Sequence, residues 1–228
     1  MILSRLSVSV IIPTLNEAGT VREAVTRAVR LGADEVIVSD GGSTDGTIER
    51  VPPPARVVAG RANRGEQMNA GARVASGDVL LFLHADTRPA PGAIEAVRQA
   101  MGSDRAVAGN LNIQYEGGDF TARLFTRINR WRRRFGILYG DSGIFCRRSV
   151  FERLGGYKPY PVLEDYEFVR RLRKEGKLAL LDAPIVVSAR RWRRDGLWRT
   201  LWSWFCIQGL YLLGVSPHRL ARLYRNIR

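Results

Sequence analysis

The chain has 228 residues, 45% hydrophobic and 25% charged, which suits one folded domain with a sizeable core and excludes a disordered or fibrous chain. Its formal net charge of +14 is lopsided: residues 1–118 hold 12 basic and 13 acidic side chains, residues 119–228 hold 24 and 9. No fold requires that asymmetry, so the second half is expected to meet anionic partners. Lys158, Lys174 and Lys177 are the only lysines, and arginine suits bidentate contact with phosphate. Cys146 and Cys206 are too few for a disulfide framework and point to a reducing compartment. The few residues before the first strand do not read as a signal peptide.

Residues 7–12, Ser-Val-Ser-Val-Ile-Ile, read as the first strand, followed by the loop Pro13-Thr14-Leu15-Asn16-Glu17. Val21, Ala24, Val25, Ala28 and Val29 mark one face of a helix. Residues 35–39 form a second strand ending at Asp40, and the turn at 41–47 opens a short helix that Ser43 or Thr44 is placed to cap. A third strand spans 56–59, and a helix over 65–75 carries Met68, Ala72 and Ala75. Residues 79–83 are an uninterrupted apolar run, as in a strand buried on both faces, with Pro89 and Pro91 as punctuation beyond it. A helix over 92–101 turns Ile94, Val97 and Met101 inward. Strand–helix alternation of this kind predicts a parallel α/β sheet.

After about residue 105 the pattern changes. Strands are expected at 106–113, 143–147, 178–181 and 185–189, and helices at 120–135 and 164–175. The first of those helices carries Phe120, Leu124, Ile128, Trp131 and Phe135 on one stripe and Arg123, Arg127, Arg130 and Arg134 on another. The second turns Phe168, Val169 and Leu172 inward and begins with Glu164 and Asp165, acids favoured by the helix dipole. Residues 200–215 lack any charge and are rich in Trp, Leu and Tyr; residues 218–228 resume as a basic helix with Leu220, Leu223 and Ile227 on one face. The chain divides into a main domain at 1–195 and a helical extension at 196–228. At 16 residues the apolar stretch is short of the ~20 needed to span a bilayer, and its aromatic, Arg-flanked composition fits the bilayer interface.

In a parallel sheet the polar residues after strands one, two and four converge on one crevice, where open α/β sheets bind ligands. If strand geometry continues past residue 83, His84 and Asp86 point to one side and offer an imidazole nitrogen and a carboxylate to a divalent cation. Asp86 can hold a metal that bridges a diphosphate, and Asp40 can accept from a base N–H or a ribose hydroxyl. Gly41 and Gly42 let the backbone approach a ligand. A dinucleotide-binding domain wants Gly-x-Gly-x-x-Gly after strand one, and Pro-Thr-Leu-Asn-Glu stands there instead.

Residues 8–17 with Pro-Thr-Leu-Asn-Glu, Ser39-Asp-Gly-Gly-Ser-Thr-Asp-Gly-Thr47, Leu83-His-Ala-Asp86 and Leu163-Glu-Asp165, in that order, resemble family 2 glycosyltransferases of the GT-A fold. Residues 60–69, 84–87, 139–141 and 188–192 are most similar to the subgroup of small transferases associated with radical-SAM and selenodomain proteins. The resemblance implies a Rossmann-related three-layer sandwich with a mostly parallel central sheet. It implies inverting transfer of a sugar, of hexosyl type, from a nucleotide-diphospho-sugar to an acceptor hydroxyl. Pro13, Thr14, Asn16, Glu17 and Asp40, with Gly42 and Ser43 of the same turn, would contact the nucleoside. Arg64 would lie near the base or diphosphate. Asp86 would coordinate Mn²⁺ or Mg²⁺, Asp165 would be the general base with Glu164 beside it, and His84 would face either ribose or metal. Two departures stand out: the common Asp-Asp-Gly-Ser is here Asp40-Gly-Gly-Ser43, and the usual Asp-x-Asp is His84-Ala-Asp86.

Arg190, Arg191, Arg193 and Arg194 around Trp192 are placed to close over a diphosphate or face anionic lipid. The expected setting is the cytoplasm, with peripheral attachment to the inner face of the cell membrane, an acceptor that is a small molecule or lipid-linked, and room for oligomers. One rival reading, a nucleotidyltransferase, would want a Gly-rich basic loop after strand one, which is missing. The other, a basic nucleic-acid-binding module, leaves the clustered carboxylates unexplained, and no nucleic-acid partner is expected.

Overall fold

The computed structural model describes residues 5–103, 105–117, 119–188 and 197–227. Its centre is β1 (Val8–Thr14), every residue of which is buried. Val8, Val10 and Ile12 point into one apolar cluster and Ile11 into another on the opposite face of the sheet. Full burial of each such side chain contributes roughly 1.5–3 kcal/mol relative to exposure. That two-sided demand for apolar residues is why β1 and the equally buried β4 (Val79–Phe82) are continuous apolar runs.

β1 pairs in parallel with β2 (Glu35–Asp40) and β4, and β2 with β3 (Arg56–Ala59). The register sets Thr14 beside Asp40 and Asp40 beside Ala59, so the carboxyl ends of these strands share an edge. Helices α1 (Val21–Arg30) and α2 (Arg64–Val74) cross over between them. α2 carries Ala70, Gly71 and Ala72 because it lies almost on the sheet: a Cβ at Gly71 would sit 2.6 Å from Ile11 Cγ2.

Beyond β4 the chain forms β5 (Thr87–Pro89), α3 (Ala93–Met101), β6 (Ala108–Tyr115), α4 (Phe120–Arg133), β7 (Ile144–Arg147), α5 (Arg148–Arg153), α6 (Glu164–Glu175) and β8 (Leu178–Val187). The sheet order is β3-β2-β1-β4-β7-β6-β8-β5. β7 runs antiparallel to both neighbours and β5 to β8; the other pairings are parallel. The result is a mostly parallel sheet with an apolar layer on each face.

The two strands expected at 178–181 and 185–189 are one strand, β8, running through Pro184; the register slips between Asn110 and Asn112, and that irregularity accommodates the missing proline N–H. Residue 189 lies outside the described residues. β5 takes the place of an expected turn: it is an edge strand, where Pro89 sacrifices no ladder bond on its open side. In α4 the spacing is as expected but the buried side is another: Ala122, Phe125, Asn129 and Arg133 face the body. Phe120, Trp131 and Phe135 face out.

Helices α7 (Leu197–Leu212) and α8 (Pro217–Ile227) return to the body of the protein. Ile207 and Leu220 are buried, and Trp204 packs on Phe125 of α4 with ring centroids 6.1 Å apart. No helix among the described residues is long and apolar enough to cross a membrane.

Candidate active site

The loops after β1 and β2 are laced together. The Asn16 N–H donates to Ser43 Oγ at 2.8 Å, Glu17 N–H to Thr47 Oγ1 at 2.8 Å, and Ala18 N–H to Asp45 Oδ2 at 3.0 Å. Asn16 Oδ1 accepts from the Thr44 N–H at 3.0 Å. Ser43 and Thr44 therefore bind the β1 loop instead of capping a helix; the single 3-10 turn at Ile48–Arg50 has no side-chain cap.

Asp40 is 3% exposed and organises its own turn. Its Oδ2 accepts from the N–H groups of Gly42 and Ser43, both at 2.8 Å, and its Oδ1 from Ser43 Oγ at 2.5 Å and Thr14 Oγ1 at 3.1 Å. Burial alone would raise the carboxyl's pKa; the hydrogen bonds from Ser43, Gly42 and Thr14 outweigh it and hold the pKa below the usual range. Two carboxylate oxygens offer about four lone-pair sites, and all are occupied. Asp40 thus shapes the pocket from beneath, while Asn16 and Gly42 are exposed at its surface. Gln67, which sequence reasoning passed over, adds to the same floor by donating Nε2 to the Thr14 carbonyl at 2.5 Å.

Arg64 begins α2 just after Asn63, whose side chain caps the helix by accepting from the Glu66 N–H. The half-exposed Arg64 guanidinium lies 3.4 Å from Oε1 of Glu164, which is 4% exposed at the start of α6. Burial first, then the neighbouring Asp165 charge, pushes Glu164 up to about 7 against the pull of Arg64. The native state then holds this proton where the unfolded chain has lost it. Stability is expected to fall as pH rises from about 4.5 to about 7 and to level off above. Glu164→Gln should flatten that segment of a urea-unfolding profile measured against pH; an unchanged slope would mean another group carries it.

Leu163, just before the acids, has φ 62°, and Asn16 has φ 57°. They are the only non-glycine residues with positive φ among the described residues, and both lie at the crevice. Asparagine tolerates this backbone; leucine holds it at a cost of roughly 1–2 kcal/mol, the kind of strain that persists where surroundings dictate the geometry.

Asp165 is held by backbone. Its Oδ2 accepts from the Gly140 N–H at 2.5 Å and its Oδ1 from the Tyr166 N–H at 2.6 Å. A Cβ at Gly140 would lie 3.0 Å from His84 Nε2 and 3.3 Å from Asp165 Oδ2, so the imidazole and the carboxylate meet over this glycine. β4 ends at Phe82, and Thr87 closes a turn by donating its N–H and its hydroxyl to the His84 carbonyl, at 3.1 and 2.8 Å. The strand alternation expected to set His84 beside Asp86 therefore stops short of them. His84 turns toward Gly140, and Asp86 is exposed at the turn.

Among the described residues no three His, Cys, Asp or Glu side chains gather to hold a metal on protein groups alone. An exposed carboxylate at a strand end suits a different arrangement. Mg²⁺ and similar hard cations are commonly held by one or two carboxylates, with substrate phosphates and water completing the shell. Asp86 meets that requirement.

The far wall was not anticipated as part of the site. Tyr139 stacks near Tyr166, ring centroids 6.3 Å apart, and carries the Arg132 guanidinium 4.2 Å above its ring. Burial pushes the Tyr139 phenol up to about 12, so it stays protonated and donates to Gln208 Oε1 of α7 at 3.0 Å. Tyr211 meets Tyr166 edge-on at 5.8 Å. Tyr139 and Gly140 stood inside a motif already singled out; Gln208 and Tyr211 gave no local signal. Arg190, Arg191, Trp192, Arg193 and Arg194 lie outside the described residues.

Residues 9–155, more than half of the chain, match the family model described as glycosyl transferase family 2. No curated protein matches. Among solved structures, a mannosyltransferase from Pyrobaculum calidifontis, in complex with GDP-Man and Mn²⁺, is 20% identical; the match covers 97% of this chain and 68% of that one, with a TM-score of 0.67. Glucosyl-3-phosphoglycerate synthase from Mycobacterium tuberculosis, with Mn²⁺, UDP and glucosyl-3-phosphoglycerate, is 24% identical over 78% of this chain and 70% of that one, with a TM-score of 0.58. The same synthase with Mg²⁺ and UDP gives a TM-score of 0.60 at 24% identity, over 80% and 70%. These likenesses establish the GT-A fold. With that fold and the family match over most of its sheet, the chain belongs to glycosyl transferase family 2.

Proposed function

We propose that the protein transfers a hexosyl group from a nucleotide-diphospho-sugar to an acceptor hydroxyl, with inversion, using Mn²⁺ or Mg²⁺ held at Asp86. The observation that carries this reading is the meeting, at one sheet edge, of the Asp40 turn, the Asp86 turn and the Glu164–Asp165 pair. The relatives' donors support it: GDP-Man with Mn²⁺ in one, UDP with Mn²⁺ or Mg²⁺ in the other. The motifs at 60–69, 84–87, 139–141 and 188–192 support a likeness to the radical-SAM and selenodomain-associated subgroup.

In this reading Asn16, Glu17, Gly42 and Ser43 receive the nucleoside, on a floor fixed by Pro13, Thr14 and Asp40. Arg64, half exposed, faces the diphosphate. The bound cation neutralises charge on the leaving diphosphate. Asp165 has two lone-pair sites taken by backbone N–H groups and the rest turned to the acceptor. It takes the hydroxyl proton as the acceptor oxygen bonds to the anomeric carbon, and the bond from that carbon to the diphosphate oxygen breaks on the opposite face. His84 lies beside the same Gly140 whose N–H holds Asp165. The setting we assign is the cytoplasm, where Cys146 and Cys206 stay free thiols.

A panel of UDP- and GDP-sugars with Mn²⁺ tests the reading: one donor should raise the thermal midpoint, since a ligand bound only by the native state stabilises it. Proton NMR of the transfer product should show the opposite anomeric configuration to the donor. Retention would overturn the inverting mechanism. Pyrophosphate release from a nucleoside triphosphate and a sugar 1-phosphate would instead indicate a nucleotidyltransferase.

A further inference from the structure

Two neighbouring helices expose aromatic rows that the fold leaves uncovered. On α4, Phe120 is 73%, Trp131 62% and Phe135, just past its end, 56% exposed, opposite the buried row of Ala122, Phe125, Asn129 and Arg133. Trp131 and Phe135 touch, ring centroids 4.8 Å apart, so they form one patch. Arg123, Arg127, Arg130 and Arg134 run along its flank, all exposed. On α7, Trp202 (66%), Phe205 (73%) and Leu212 (62%) recur at helical spacing, while Ser203 and Ile207 are buried on the other side. Phe125 of α4 touches Trp204 of α7 through the inner sides of the two helices, and Trp202 and Phe205 stack at 6.1 Å.

Within the three helices of this region the charge has one sign. None of α4, α7 and α8 contains an Asp or Glu, although each contains arginine. A contact with a second copy through the same face would set arginine rows against each other with no carboxylate from these helices to answer them. A bilayer with anionic headgroups answers both features at once: Trp and Phe enter at headgroup depth, and arginines reach lipid phosphate. No described helix spans a membrane, so attachment would be in the plane of the surface.

We propose that the exposed aromatic residues of α4 and α7, with the arginines beside them, dock on an anionic lipid bilayer. The inner face of α7 delivers Gln208 and Tyr211 to Tyr139 and Tyr166 beside Asp165, so the docked helix also supplies the far wall of the site. The proposal stands on surface chemistry and does not depend on the transfer reaction.

The test is flotation of the full chain with vesicles of phosphatidylcholine alone or mixed with about a third phosphatidylglycerol. The protein is expected to float with the mixed vesicles at low salt, not with neutral ones, and to be released by high salt. R127E/R130E/R134E should weaken partitioning by about 100-fold or more, each basic residue near the surface contributing about fivefold. The Arg→Lys triple variant should retain most of the binding. W131S/F135S alters only exposed side chains and should weaken binding while leaving the thermal midpoint in place. Failure of the full chain to float at low salt would overturn the proposal. So would a dimer, seen by sedimentation, that W131S/F135S converts to monomer without any vesicle binding in the parent protein.

Discussion

Asp165→Asn is expected to slow sugar transfer by about two to four orders of magnitude, the usual worth of a general base, with donor affinity nearly unchanged. The substitution removes the proton acceptor and keeps the volume. It also leaves one of two backbone donors facing an amide NH₂, since asparagine can answer only one of the N–H groups of Gly140 and Tyr166. A loss of about 1–3 kcal/mol in stability should accompany the loss of rate. Donor titration by calorimetry separates the two effects, because the Asp40 turn and Asp86 lie outside the altered contact. Wild-type transfer by a folded mutant would remove Asp165 from the role.

Asp86→Ala should erase the gain in UDP or GDP affinity that Mn²⁺ brings. Groups that merely support a metal ligand cost about 10–100-fold on removal, and a sole protein carboxylate on the metal should cost at least the upper end of that. Asp86 is exposed at a turn held by Thr87, so the fold should survive. Calorimetry with and without the cation reads this directly, with no dependence on turnover. Undiminished enhancement by Mn²⁺ in the mutant would move the metal elsewhere.

Much of the donor side was legible because its residues are local in sequence. A buried parallel strand must be apolar throughout, and its polar continuation must emerge at the sheet edge, so Asp40 and Asp86 could be placed near that edge from periodicity, while Thr14, expected in a loop, ends β1 itself. What periodicity could not say is which side of a helix is buried. In α4 the apolar residues and the core-facing residues form different rows, and Arg133, with a guanidinium N–H on the Leu181 carbonyl at 2.6 Å, lies on the inner one. Strand alternation failed at His84 because the strand had already ended and a turn set its direction. The far wall required α7 to fold back across 69 residues onto Tyr139, a contact no window of sequence contains.

Asp165 is gripped by two main-chain amides, those of Gly140 and Tyr166. Main-chain amides survive every substitution except proline, so this grip on the proposed base does not depend on the side chains of the residues that supply it. Tyr139, Tyr166, Gln208 and Tyr211 are therefore expected to tolerate variation as a set without loss of the backbone grip on Asp165. In a mutagenesis library, randomising the aromatic wall while keeping the Gly140 peptide is expected to alter which acceptor is used without abolishing transfer.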